Sequence, residues 1–176
     1  MEVRLIDKRD LDTVKRAARD SEIRRRFVLL KERPSEYFDR CREASSAGSG
    51  AAFAICDLGG ECVGFVTVEL RDAGRAELGY WLLPESRGRG RATRALRLVS
   101  HWALSQPDVA RLELSTSPDN AASQRVAERS GFRREGVLRS YHVVDGRRED
   151  AVFFSLLPDD LDERALSAPD SDAVNG

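Results

Sequence analysis

The chain has 176 residues, 41% of them hydrophobic and 34% charged, with 29 Lys and Arg against 30 Asp and Glu. That balance excludes the basic excess a dedicated nucleic-acid binder needs to neutralise phosphates, and the composition is globular rather than disordered. No apolar run approaches the ~20 residues that span a bilayer.

The start, MEVRLIDKRD, lacks the apolar core of a signal peptide, which points to the cytoplasm. Cys41, Cys56 and Cys62 show no CxxC spacing. They read as buried, reduced thiols, with no metal set. The expected organisation is one domain over residues 1–158 and an acidic, frayed tail over 159–176.

In chain order, VRLI (3–6) reads as a strand. Asp10 then caps a helix whose apolar positions Leu11, Val14, Ala17 and Ala18 recur at helical spacing. EIRRRF (22–27) is a charge run, either a solvated face or the lip of a binding site. Pro34 and Ser35 open a second helix that decays into a Ser/Gly/Ala loop. AAFAICDL and CVGFVTVEL, separated by Gly59-Gly60-Glu61, form a hairpin, and after a turn at 72–75 AELGYWLL adds a third antiparallel strand.

LLPESRGRGRATRAL (82–96) follows, where a strand runs into two glycines and four arginines and then a helix with Ala92, Ala95, Leu96, Val99, Trp102 and Ala103 on one face. Gly88 and Gly90 let main-chain N–H groups converge on an anion, and the helix adds free N–H groups and its positive dipole end. The expected ligand part is a phosphate or pyrophosphate. The segment is neither a P-loop, because no Lys-Ser/Thr follows Gly90, nor a dinucleotide fingerprint. A flexible turn with solvated arginines is the alternative.

RLELSTS then reads as a strand, NAASQRVAERSG as a short helix stopped at Gly131, and the remainder as a terminal hairpin turning at DGRRED. The resulting order, β-α-α-β-β-β-α-β-α-β-β, describes a mixed α+β domain with one locally parallel strand pair.

Taken jointly, GYWLLPESRGRGRATRAL and NAASQRVAERSGFRREGVLRSY resemble the GNAT superfamily of acetyl-CoA-dependent N-acetyltransferases, nearest its RimJ/RimL-type branch. The likeness covers about Val3 to Leu157. It implies a mostly antiparallel sheet with a splayed parallel pair, acetyl-CoA as co-substrate, and direct attack by a primary amine, most plainly a protein N-terminus of ribosomal type. By the same resemblance, Trp81, Leu82 and Leu83 offer main chain to the pantetheine. Arg87, Gly88, Arg89, Gly90, Arg91, Ala92 and Thr93 hold the pyrophosphate. Glu85 departs from the Gln or Arg common at its position.

Asn120 matches an asparagine that contacts the pantetheine, and Ser123 a serine near the coenzyme sulfur that serves as acid for the leaving thiolate. Either Asp119 or Asn120 alternatively serves as a helix N-cap. Amides of Leu82 and Leu83 are expected as oxyanion donors. Glu77 is the leading base, with an ion-paired surface carboxylate as the plain alternative. Tyr141 and His142 are adjacent on a strand and expected on opposite faces, with Tyr141 a candidate at the substrate mouth. Tyr80 and Trp81 alternate similarly, one in the core and one in the cleft, while His101 belongs to the helix rather than to catalysis. A small-amine acceptor (aminoglycoside, polyamine or amino acid) and a non-catalytic CoA-binding module are the competing functions. The protein is expected as a monomer or homodimer, with no nucleic-acid or membrane partner.

Overall fold

Seven strands form one sheet in the order β1-β2-β3-β4-β5-β7-β6: β1 (Glu2–Leu5), β2 (Gly50–Cys56), β3 (Cys62–Leu70), β4 (Arg75–Leu82), β5 (Arg111–Thr116), β6 (Arg133–Val144) and β7 (Arg147–Leu156). The computed structural model describes residues 1–27, 33–144 and 146–161. Every neighbouring pair is antiparallel except β4–β5. Helices α1 (Leu11–Ala17), α2 (Ser21–Arg26) and α3 (Pro34–Ala47) lie between β1 and β2, α4 (Arg91–Leu104) between β4 and β5, and α5 (Ala121–Arg129) between β5 and β6. This is the mixed α+β architecture the sequence implies. No helix among the described residues is long and apolar enough to cross a membrane.

Because strand side chains alternate, the sheet buries both faces. On one face Leu82, Leu96, Leu112, Leu114 and Phe154 pack with α4 and α5. On the other, Val14, Phe38, Phe65 and Trp81 pack with α1 and α3. There the Trp81 ring stacks on Phe65 at 5.0 Å, and its indole N–H donates to the Tyr37 hydroxyl (3.2 Å). Cys56 and Cys62 are buried, and burial pushes the Cys62 thiol up to about 12.

Several local expectations change. Three described helices, not two, separate β1 from β2, because Asp20 starts a new one by accepting from the Ile23 N–H (2.8 Å). Asp10 stands at the N-terminus of α1 but makes no cap hydrogen bond. Its carboxylate, 1% exposed, instead accepts from both Arg4 Nη atoms (2.8 and 2.7 Å) and from the Asp7 N–H (2.9 Å). The serines expected in a loop extend α3 to Ala47, since Ser45 and Ser46 donate back to the Cys41 and Arg42 carbonyls. Gly131 does end α5: at φ +95 it lets its own N–H reach the Glu128 carbonyl and the Phe132 N–H reach that of Ala127. Pro158–Asp160, at the start of the expected tail, forms a 3-10 turn whose Asp160 pairs with Arg133 (2.6 Å). Residues 162–176 lie outside the described residues.

Candidate active site

Strands β4 and β5 are joined over only three residue pairs, Arg75–Glu77 with Arg111–Glu113, and then separate. Beyond Glu77, therefore, one flank of β4 has no strand partner. Which main-chain groups face that flank follows from register. The Leu83 N–H donates to the Val63 carbonyl on β3 (2.9 Å), so the two-residue period sends the main chain of Tyr80 and Leu82 to the open side. Of Trp81, Leu82 and Leu83, only Leu82 presents backbone there. This corrects the expectation for Leu83 as an oxyanion donor, and the main chain of Trp81 likewise faces β3. The Leu82 carbonyl accepts from Arg87 Nε (3.1 Å), while its N–H points into the gap.

At the end of β4 a 3-10 turn, Pro84–Ser86, leads into the glycine loop. Gly88 (φ +72) and Gly90 (φ +70) are both in the left-handed region, and a Cβ built on Gly88 would meet nothing within 4 Å. Gly90 is the N-cap of α4 and supplies no side chain, so the first-turn N–H groups have no side-chain cap. An uncapped helix start beneath open space is a natural anion seat.

The arginines of the loop divide. Arg89 is exposed, and Arg91 reaches back weakly to the Ser86 carbonyl. The Arg87 side chain is held by Asp20 (3.0 Å) and Glu22 (2.7 Å) of the α2 region. Ala92 and Thr93 pack inward, the Thr93 carbonyl accepting from Ser130 Oγ. Glu85 is turned toward α1, where Arg16 pairs with it at 2.7 Å.

Across the gap, Asn120 caps α5, its Oδ1 accepting the Ser123 N–H (3.1 Å). Capping uses only its oxygen, and among the described residues its Nδ2 has no partner. The same cap holds Ser123 on the first turn, facing β4. There its Oγ lies 2.8 Å from the Tyr80 hydroxyl, a contact that links β4 to α5. Burial pushes the Tyr80 phenol up to about 12, against the opposing Ser123 hydrogen bond and the Arg26 charge. Tyr80 therefore stays a neutral donor at physiological pH. Sequence reasoning weighed Tyr80 only as the alternate of Trp81, and alternation alone could not say which of them meets the helix.

Glu77 lies on the opposite face, 37% exposed, bound by Arg71 Nη2 (2.7 Å), which also holds Glu69 (2.8 Å). Tyr141 is exposed, its ring edge-on to His142 (5.2 Å) and Phe153 (6.1 Å). Tyr141 and His142 are not on opposite faces as expected. A bulge between Leu138 and His142, with Ser140 at φ +55, breaks the alternation. Burial lowers the His142 pKa from its ordinary 6.5, opposed by Glu77 and Glu149. His101 is a half-buried residue of α4, away from the gap.

Comparison with known proteins agrees with this fold. Residues 1–133 match the family model of the acetyltransferase (GNAT) domain. The curated relatives that match first are bacterial N-acetyltransferases, and the chain spans about half their length. A similar case is the ribosomal-protein-serine acetyltransferase of Escherichia coli, 30% identical over 84 residues, 48% of this chain and 47% of that protein. A longer match is to the L-2,4-diaminobutyric acid acetyltransferase of Streptomyces coelicolor, 31% identical over 81% of this chain and 84% of that protein.

Among solved structures, RimJ of Mycobacterium smegmatis in complex with CoA-disulfide is similar at 26% identity and a TM-score of 0.76, covering 94% of this chain and 85% of that one. The spermidine N-acetyltransferase of Vibrio cholerae in complex with CoA and spermine has a TM-score of 0.78 at 19% identity, covering 90% and 96%. The chain belongs to the GNAT acetyltransferase family, in its RimJ-like branch.

Proposed function

We propose that the protein moves an acetyl group from acetyl-CoA to the α-amine of a protein N-terminus by direct attack, without a covalent enzyme intermediate. The observation that carries this is the Tyr80–Ser123 contact, which sets a hydroxyl donor in the gap between β4 and α5. Main-chain N–H groups from Gly88 to Thr93 bind the pyrophosphate, with Arg89 and Arg91 adding charge. The Leu82 N–H and the Asn120 Nδ2 hold the pantetheine, and the Leu82 N–H borders the thioester. As the C–N bond forms and the C–S bond breaks, the departing sulfur takes a proton from Ser123 Oγ, Ser123 takes one from the Tyr80 hydroxyl, and the proton shed by the amine returns through solvent to restore Tyr80.

The amine enters from the face carrying Glu77, His142 and Tyr141. An α-amine has a pKa of ~7.7–8.0 against ~10.4 for lysine, so it needs little help to deprotonate. Glu77 is engaged by Arg71, whereas His142, whose pKa burial lowers, presents a neutral imidazole on that face to take the proton the amine sheds. Relatives named for ribosomal proteins and RimJ support the N-terminal acceptor. The resemblance to a spermidine N-acetyltransferase and to a diaminobutyric acid acetyltransferase makes small amines the competing class.

The test is thiol release from acetyl-CoA across peptides with free N-termini, the same peptides N-blocked, polyamines, amino acids and aminoglycosides. Turnover of free but not blocked peptides is expected. Turnover confined to polyamines or aminoglycosides refutes the acceptor, and coenzyme binding with no turnover makes the protein a binding module. The coenzyme and acceptor steps both belong in the cytoplasm under this reading.

A further inference from the structure

Helix α2 lies over the opening between β4 and β5. The Phe27 ring after it comes within 3.8 Å of where a Gly79 Cβ would stand, and Arg25 reaches Asp119 (3.3 Å) and Glu149 (3.1 Å) on the far side. Arg26, half-buried, is different. Its Nη2 is 3.6 Å from Asp119, too long for a hydrogen bond, and its charge acts on the Tyr80 hydroxyl. Its Nε is buried and has no acceptor among the described residues. A guanidinium N–H held dry beside the Tyr80–Ser123 pair is costly in the free protein, and an incoming oxygen relieves that cost.

The surrounding charge narrows what that oxygen belongs to. Glu69 and Glu77 are paired with Arg71, Asp119 and Glu149 with Arg25, and Asp20 and Glu22 with Arg87. These three arginines are shared among six carboxylates, so the excess negative charge draws in a polyamine's ammonium groups, but a polyamine carries no acceptor oxygen for the buried Nε–H. An amino-acyl group brings instead a carbonyl or carboxylate oxygen on the carbon beside its amine.

We infer that Arg26 is a specificity residue whose Nε–H hydrogen-bonds that oxygen, so that the acceptor is an α-amino acyl group rather than a plain amine. This rests on the acyl transfer proposed above and deepens it. The experiment is steady-state kinetics of the full chain, Arg26→Gln and Arg26→Lys with a free N-terminal peptide and with an alkylamine that keeps the first side chain but lacks the carbonyl. Melting temperature and acetyl-CoA affinity serve as checks on the fold.

In Arg26→Gln the peptide KM rises roughly 10- to 100-fold, the scale of a charge-assisted hydrogen bond, with kcat nearly unchanged. Arg26→Lys, which retains charge without an Nε–H, loses most of the same affinity. The alkylamine is poor with the parent enzyme and unaffected by either substitution. Equal losses for peptide and alkylamine, or a raised acetyl-CoA KM, overturn the assignment while leaving N-terminal acetylation standing. Turnover of polyamines alone, or of no amine, overturns both.

Discussion

Gly88 offers a direct test of the anion seat, because its substitution separates charge from shape. At φ +72 with nothing within 4 Å of a built Cβ, Gly88→Asn and Gly88→Asp carry the same backbone strain and displace no neighbour. Both side chains belong to the small set that tolerates the left-handed region. They differ by one charge. A carboxylate ~5 Å from a phosphate oxygen is repelled by about 1–3 kcal/mol between water-like and near-surface dielectric values. That range is roughly a 5- to 150-fold increase in Kd.

Titration calorimetry with CoA on the two variants should show Gly88→Asp weaker than Gly88→Asn by that factor. The difference should contract as salt is added and the Debye length shortens. Equal affinities at low salt, with both variants folded, would show that no phosphate lies against this loop.

The Tyr80–Ser123 pair should behave as a unit in turnover. Ser123→Ala is expected to lower kcat by roughly 100-fold, the scale of a positioned acid, with acetyl-CoA affinity little changed, and adding Tyr80→Phe should cost little more. Additive losses, or an unchanged kcat, would remove the pair from proton transfer. Asp10 is a stability test. Burial raises its pKa, but Arg4 and the Asp7 N–H together outweigh burial and leave it below the usual carboxylate value. A depressed folded pKa means its contribution is complete above the unfolded value of ~3.9 and fades as pH falls through the folded one. Asp10→Ala should therefore cost about 1–3 kcal/mol at neutral pH, the scale of hydrogen bonds to a charged group, because Arg4 is only partly buried and keeps Asp7 at 3.4 Å. Urea midpoints of the two proteins should converge in acid, and a constant gap would contradict the assignment.

Features set by local chemistry were legible in the sequence. Gly88, Gly90 and Gly131 stand where the backbone takes positive φ, and Asn120 sits at a helix start, because these depend on a few consecutive residues. What escaped depends on tertiary context. Asp10 has the residue type of a cap, yet the partly buried guanidinium of Arg4 on β1 draws its carboxylate away from the N–H groups of its own helix. Ser45 and Ser46 suit a loop by type but bond back to the preceding turn and prolong α3. Main-chain direction along β4 turns on whether odd or even residues pair with β3, which periodicity alone leaves open. Two extra residues in β6 put Tyr141 and His142 ring to ring. The arginines of α2 read as a solvated run because their partners, Asp119 and Glu149, are more than ninety residues away.

Under the proposed reading, recognition where β4 parts from β5 falls to the main chain, while most of the side chains there are committed to packing. Trp81 and Leu83 serve one layer and Leu82 the other. A ligand gripped in this way is indifferent to what hangs from the strand, provided the strand keeps its course. Such a segment can drift in composition under the demands of the interior alone and still hand on the same binding surface. A substitution scan along it would then chart thermal tolerance far more than coenzyme affinity.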